Sequence, residues 1–359
     1  MKFNTLASSI ALATLTAVAT ANAGTVTSDG QDIVIKTKGG LKVSTADNKY
    51  SIKIGGRIQY DYNRAELNGE ADEDEFNRRR ARLYAAGNIN DWSYKAQFNI
   101  GGDEGGTAED LYIRYNGFGK KAVITAGKQR IPFGLEDLTS SNDITMLERT
   151  AITERYAIAR EEGVVLSGKE GDFTYSLAAF EDSTAPNNGS GSGDDFGIAA
   201  RVTFAPVQTE NSVVHVGAAY KDIGNDTTAF GLEFAATLDS LHGQMEFFDA
   251  DENGNDANGY YLQVGYILTG EQRPYKDGKF KRVKPQGDNG AFEVVIRYED
   301  GDGNFADVEL GNTNASAWGI GLNWYANNNI RVGVNYTDAD DDNSNNDGDE
   351  FRARVQLTF

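Results

Sequence analysis

The chain has 359 residues, with 41 glycines, 17 tyrosines and 18 phenylalanines against 5 prolines, no cysteine, and a formal net charge of −20. Without cysteine there is neither a disulfide framework nor a thiolate metal site, and the acid excess gives no basic footprint for nucleic acid. Length alone does not divide the chain, because an all-β barrel of this size can be one unit.

Residues 1–23, "MKFNTLASSIALATLTAVATANA", carry one lysine, no acid, a moderately apolar middle and a small-residue ending. They are predicted to be a secretory signal peptide cleaved after Ala23. No other stretch approaches ~18 uninterrupted apolar residues, so no spanning helix is predicted. The mean hydropathy of −0.50 would by itself suggest a soluble secreted protein. A transmembrane barrel, however, alternates lipid-facing and lumen-facing residues, and only its period betrays it.

That period begins near residue 51. In "SIKIGGRIQYDY", Ile52, Ile54, Ile58, Tyr60 and Tyr62 share one face, opposite Lys53, Arg57, Gln59 and Asp61. "WSYKAQFNI", "YYLQVGYIL", "AFEVVIRYE" and the closing "FRARVQLTF" repeat the alternation, as strands do. Such runs start near 51, 78, 92, 111, 121, 162, 172, 196, 212, 229, 243, 259, 290, 316, 329 and 350. The expectation is an all-β protein: an antiparallel transmembrane β-barrel of about sixteen strands over 51–359. Trp92, Tyr94, Trp318, Trp324, Tyr325 and Tyr336 fall at run ends, where interfacial girdles need aromatics. "GNIND", "GKEGD" and "ANNN" are predicted as tight turns. "NRAELNGEADEDEFN", "GGDEGGTAED", "EDSTAPNNGSGSGDDF", "DADENGNDANG" and "DADDDNSNNDGDE" are predicted as long acidic loops on the opposite side. The connection at 129–156, mixed in charge and partly apolar, is predicted to fold into the lumen and narrow it.

Subtracting the loops leaves inward positions rich in arginine: Arg57, Arg80, Arg82, Arg114, Arg201, Arg297, Arg331, Arg352 and Arg354. Facing lipid, each would cost about 2–4 kcal/mol near the midplane. Inside a narrow pore they would raise the local anion concentration. The inward acids are expected to be fewer, chiefly Asp61, Glu233, Glu293 and Glu299. A blander reading is an arginine cluster facing acids across the lumen, giving a transverse field with weak selectivity. Within "RRRAR", strict alternation sends Arg78, Arg80 and Arg82 inward and Arg79 outward, unless the strand begins late or bulges.

The mature start "GTVTSDGQDIVIKTKGGLKVS", "KIGGRIQ", the arginine run, "FGLEDLTSSNDIT", "TGEQRPYKDGKFKRVKP" and "GLNWYAN" together resemble the phosphate- and polyphosphate-selective porins of Gram-negative outer membranes. The resemblance runs from Gly24 to Phe359. It implies a periplasmic N-terminal segment at 24–50 and a sixteen-stranded homotrimeric barrel with an inward-folded third loop, set in outer-membrane lipid and lipopolysaccharide. It also implies passive diffusion of small anions such as phosphate, with no catalysis, cofactor or metal. Carried over position by position, it places constriction arginines at Arg79 and Arg80, an upper-pore arginine at Arg57, phosphate-binding serines at Ser140 and Ser141, and an acid beside them at Glu109. Two lysines that draw anions through on the periplasmic side fall on Lys276 and Lys284. Taken alone, "RPYKDGKFKRVKP" reads as a solvated basic segment. The family's central lysine position is occupied by Asp137, and positions that hold tyrosine in some members carry Arg82 and Arg130, with Lys128 near by. An arginine-rich outer loop is missing between Tyr220 and Phe230, so a moderate anion preference is expected. The alternatives are a general diffusion porin of weak selectivity and, from another class, a surface β-protein whose acidic loops bind a partner.

Other chemistry is poorly supported. His215 and His242 have no nucleophile motif around them. "DADENG" begins like a calcium loop, but its twelfth position is Tyr260 instead of glutamate.

Overall fold

A computed structural model describes residues 24–28, 31–37, 39–101, 106–182, 195–224, 227–252, 254–303, 313–341 and 347–359. The expected signal peptide and its cleavage site lie outside the described residues. Alternating β-branched, aromatic and small residues give one antiparallel sheet of nineteen strands. The first three are β1 (Gly24–Ser28), β2 (Gln31–Lys36) and β3 (Leu41–Thr45). Next come β4 (Tyr50–Leu67), β5 (Glu70–Ile89), β6 (Trp92–Asn99), β7 (Thr107–Tyr115), β8 (Val123–Arg130) and β9 (Arg160–Glu170). They are followed by β10 (Phe173–Asp182), β11 (Asp195–Gln208), β12 (Ser212–Ile223), β13 (Thr227–Leu238), β14 (Leu241–Glu252) and β15 (Asn255–Ile267). A separate short hairpin, β16 (Tyr275–Lys276) and β17 (Lys279–Phe280), precedes β18 (Ala291–Gly303), β19 (Thr313–Tyr325), β20 (Ile330–Asp341) and β21 (Asp347–Thr358).

Strand β21 pairs back on β4, from Gly348 opposite Leu67 to Thr358 opposite Arg57, so β4–β15 and β18–β21 close a sixteen-stranded barrel. Below that seam the lower end of β4 pairs instead with β3, and β1–β3 extend the sheet beyond the barrel. The changeover needs glycine. Gly56 exchanges backbone hydrogen bonds of 2.8 and 3.0 Å with the terminal Phe359, and a Cβ on Gly55 would sit 2.5 Å from the Phe359 carbonyl oxygen.

Burial follows the predicted period. On β13, Phe230, Leu232, Phe234 and Leu238 are exposed outward, while Glu233, Ala235 and Thr237 are buried. A continuous belt of exposed Leu, Ile, Val, Phe and Tyr on the outside with buried charge inside inverts a water-soluble fold, and suits a hydrocarbon surround. Trp92 and Trp318 are exposed, as a girdle requires. Tyr325 is not part of it, because its ring is buried and its hydroxyl donates to Glu293 at 2.7 Å.

Two acidic stretches expected as long loops are strand instead. Strands β4 and β5 run on to a turn at Asn68–Gly69, both at positive φ, and β14 and β15 continue to Glu252 and from Asn255. Alternating acids on a water-exposed strand extension do not interrupt the ladder; the turn is set by the Asn-Gly pair.

The connection from β8 to β9 lies inside the barrel, with Ile131, Phe133, Leu135, Ile144, Met146, Leu147, Ile152 and Tyr156 all buried. Its apolar side packs on wall residues that are mostly alanine, together with Phe180 and Phe248. Phe133 and Tyr156 stack on Phe248 at 5.7 and 5.4 Å. Small wall residues make room: a Cβ on Gly259 would lie 2.7 Å from Ile152. Two short helices form within the loop, α1 (Leu135–Leu138) and α2 (Ala151–Tyr156). The Glu246 carboxylate accepts the Leu135 and Glu136 amides at the start of α1, at 2.5 and 2.9 Å, and Thr150 caps α2 through the Thr153 amide at 2.9 Å.

Candidate functional site

The polar edge of this inward loop meets the wall built by β4, β5, β20 and β21. Arg57 on β4 donates to the Ser141 hydroxyl at 2.5 Å, and Gln59, two residues along the same inward face, donates to the Ser141 carbonyl at 3.4 Å. Across the β4–β5 pair, Arg80 donates to Gln59 Oε1 at 3.1 Å. Ser140 turns the loop there, with its Oγ accepting the Asn142 amide at 3.3 Å.

Strand register explains why neighbouring arginines act together. Gln59 faces Arg80 but Asp61 faces Asn77, so β5 carries one extra residue at a bulge. Arg79, outward by strict alternation, therefore reaches the same partner as Arg80: Glu148 on the loop, at 3.0 and 2.9 Å. Arg352 lies 3.4 Å from Glu148, and Arg354 also pairs with it. Arg354 donates to Asp61 at 2.6 Å as well. Burial opposes ionisation of Glu148, yet the charges of Arg354, Arg80 and Arg79 hold its carboxyl well below the usual range.

A second group of charges spans β5 to β9. Arg82 pairs with Glu109; Arg160 pairs with Glu109 at 3.0 Å and with Asp110 at 2.6 Å; Lys95 also pairs with Asp110. Arg130, at the end of β8, pairs with Asp137, and Arg149 lies 3.7 Å from the same carboxylate. Burial favours neutral Asp137, but Arg130 and Arg149 hold it ionised below the usual range. Arg149 also braces the loop internally, donating to the Asp137 and Thr139 carbonyls at 3.2 and 2.9 Å.

The expectation of few inward acids is therefore corrected. Glu148, Asp137, Glu136, Asp110 and Glu246 join Asp61, Glu233, Glu293 and Glu299 inside, and much of the arginine wall is paired. Sequence periodicity could not reveal Glu148 or Asp137, because they sit on a loop. The two histidines are buried within this ionic lining: His215 lies 3.0 Å from Glu233 and His242 2.8 Å from Glu293.

The basic segment between β15 and β18 is not merely solvated. Arg273, Phe280 and Val283 are buried, and Tyr275 and Gly278 bind the wall through His215 at 2.7 Å and Arg201 at 3.0 Å. The segment lines a cleft of about 1460 Å³ at the mouth that carries the C-terminal Phe359, together with Gly40 and Asn327. Lys276 and Lys284 both lie there, beside Lys281 and Arg282, and apart from the Arg57–Ser141 group. Lys128 is half-buried and sits opposite Glu162 in the β8–β9 register.

With this geometry in place, comparison with known proteins is decisive. The sequence profile of the family described as phosphate-selective porin O and P matches residues 52–231 and 222–359. The chain belongs to that family. Porin O of Pseudomonas aeruginosa is 32% identical over 435 aligned residues, covering 99% of this chain and 98% of that protein. Among solved structures, an anion-selective porin from Comamonas acidovorans superposes with a TM-score of 0.59 at 13% identity, covering 86% of this chain and all of the other. The trimer form of OmpT from Vibrio cholerae gives 0.57 at 11% identity, covering 86% and 99%. The porin O and P family member described here is thus an outer-membrane β-barrel channel, and the porin-like fold extends beyond its own family.

Proposed function

We propose that this porin passes small anions, phosphate or polyphosphate-like, by passive diffusion along a cationic path from the inward loop to the periplasmic mouth. One observation carries the reading. Arg57, Arg114, Lys279, Lys281, Arg282 and Lys284 form no ion pair with a carboxylate among the described residues, and Arg57 faces a serine hydroxyl. Positive charge left uncompensated in a confined channel attracts anions, and hydroxyl and amide donors at Ser140 and Ser141 can replace part of their hydration. In this reading Arg79, Arg80 and Arg82 set the potential at the loop, Glu109 tempers it, and Lys276 and Lys284 draw anions toward the periplasm. Asp137, by neutralising Arg130, keeps phosphate binding moderate. The exposed apolar belt contacts outer-membrane lipid and lipopolysaccharide, and the trimeric relative supports a homotrimer.

A weakly selective general porin is the second reading, favoured by the pairing of Arg80, Arg82, Arg201 and Arg297 with acids. Single-channel recording in chloride with added inorganic phosphate separates the two. Concentration-dependent block of the current is expected here, and its absence would support the general channel.

Lys279 adds a pH signature. Burial, then the charges of Arg201, Lys281, Arg114 and Arg130, pull its ammonium down to about 7. A lysine with a lowered pKa is neutral above that value and cationic below it. Its charge should rise from about one-tenth at pH 8 to about nine-tenths at pH 6. Anion preference should therefore increase on acidification, and Lys279→Met should flatten that dependence. An equal slope in the variant would remove Lys279 from the path.

A further inference from the structure

Four arginines of the proposed path converge on a carboxylate supplied by the chain itself. Glu148 Oε1 accepts from Arg79 Nε at 3.0 Å, from Arg80 at 3.0 Å and from Arg354, and lies 3.4 Å from Arg352. Its Oε2 accepts from Arg79 at 3.1 Å and from Arg80 at 2.9 Å. Two oxygens on one carbon thus sit inside a fan of guanidinium groups, the arrangement that a planar donor fork offers to any small oxyanion.

Neighbouring acids serve one side of the cluster. Asp61 is shared between Arg354 and Arg352, and Glu350 pairs with Arg352. Among the described residues, Arg79 and Arg80 have no carboxylate partner other than Glu148. Nor does the Glu148 side chain hold the loop alone. The Glu148 carbonyl accepts from Arg297 at 3.0 Å, the Leu147 carbonyl from Arg354 at 2.5 Å, and the Leu147 amide donates to Asn335 at 2.7 Å. Arg331 fixes the Ile144 carbonyl at 2.7 Å. The loop stays docked through its backbone, which leaves the carboxylate a separate role.

We propose that Arg79, Arg80, Arg352 and Arg354 form an oxyanion site whose resident is Glu148, a tethered carboxylate that competes with passing solutes. The proposal rests on the anion-diffusion reading and deepens it. The solute class is an anion with at least two terminal oxygens on one centre, phosphate first. A tethered competitor is present at a high effective concentration, so it weakens binding of a free anion without removing the charges that attract it. Conduction requires such weakness, since an anion held too tightly does not leave. Chloride, a single centre, cannot replace a two-oxygen ligand and gains least when the site is vacated.

Glu148→Gln removes the charge while keeping the side chain's size. In planar bilayers with chloride electrolyte, the concentration of inorganic phosphate giving half-block should fall by about tenfold, the scale of one charge-assisted interaction. Chloride conductance should change far less. Unchanged or weaker phosphate block in the variant would overturn the proposal and leave Glu148 as a brace. If Glu148→Gln fails to assemble, Glu148→Asp is measured instead. Its shorter arm cannot reach all four arginines, so block should again strengthen, and no change would overturn the proposal equally. The parent reading fails separately, if the wild-type channel prefers cations.

Discussion

Arg80→Ala is expected to reduce the anion-to-cation permeability ratio several-fold while leaving the channel assembled. Arg80 is buried, and its guanidinium joins Gln59 to both oxygens of Glu148. Removing it deletes one positive charge and leaves the Glu148 carboxylate less compensated, so both changes lower the potential felt by a passing anion. With an effective dielectric of about 20, a unit charge at about 8 Å contributes about 2 kcal/mol, and salt near 0.1 M screens part of that. The remainder corresponds to a few-fold change in selectivity. Arg79, Arg352 and Arg354 still hold Glu148, so the loop should remain in place. Reversal potentials of wild type and variant in the same KCl gradient check this. An unchanged ratio would mean that Arg80 is purely a structural partner of Glu148.

Arg331→Met is expected to have the largest effect on conductance. Arg331 is 2% exposed and donates to the Ile144 carbonyl at 2.7 Å, to the Thr145 carbonyl, and to Asn323 Oδ1 at 2.7 and 3.1 Å. Each hydrogen bond to a charged group contributes about 1.5–3 kcal/mol, and two loop carbonyls would lose a partner inside the barrel. Methionine fills much of the volume but restores none of the donors. The strand keeps its own ladder to β19 and β21, so the barrel should survive while the loop loosens. Single-channel conductance should rise and become noisier. A quiet, unchanged channel would show that the apolar contacts of the loop hold it unaided.

The barrel was legible because the period of two recurs wherever one face meets lipid and the other water. All sixteen predicted starts fall in or within a few residues of barrel strands. Arg57 and Arg80 were legible for the same reason, as inward positions on strands. Arg79 was not readable from alternation, since its reach to Glu148 depends on a bulge that shifts register by one residue. Glu148 was hidden more deeply, and Asp137 was reached through the family resemblance alone. They lie on a loop without period, and their partners are 7 to 206 positions away in sequence, the farthest being Arg354 near the opposite end of the chain. Acidic composition misled in two places, at 63–77 and 249–259, where charge was read as loop although acids on a strand extension leave the ladder intact. The basic run before β18 misled in the other direction, because apolar Phe280 and Val283 within it anchor what looked like a solvated segment.

The central claim is that uncompensated arginine and lysine on the path outweigh both the paired inward acids and the acidic outer strand extensions. The zero-current potential of the wild-type channel across a planar bilayer, under a KCl gradient, tests it most directly. The account predicts the sign of a chloride-selective channel, and a potassium-selective sign would contradict it.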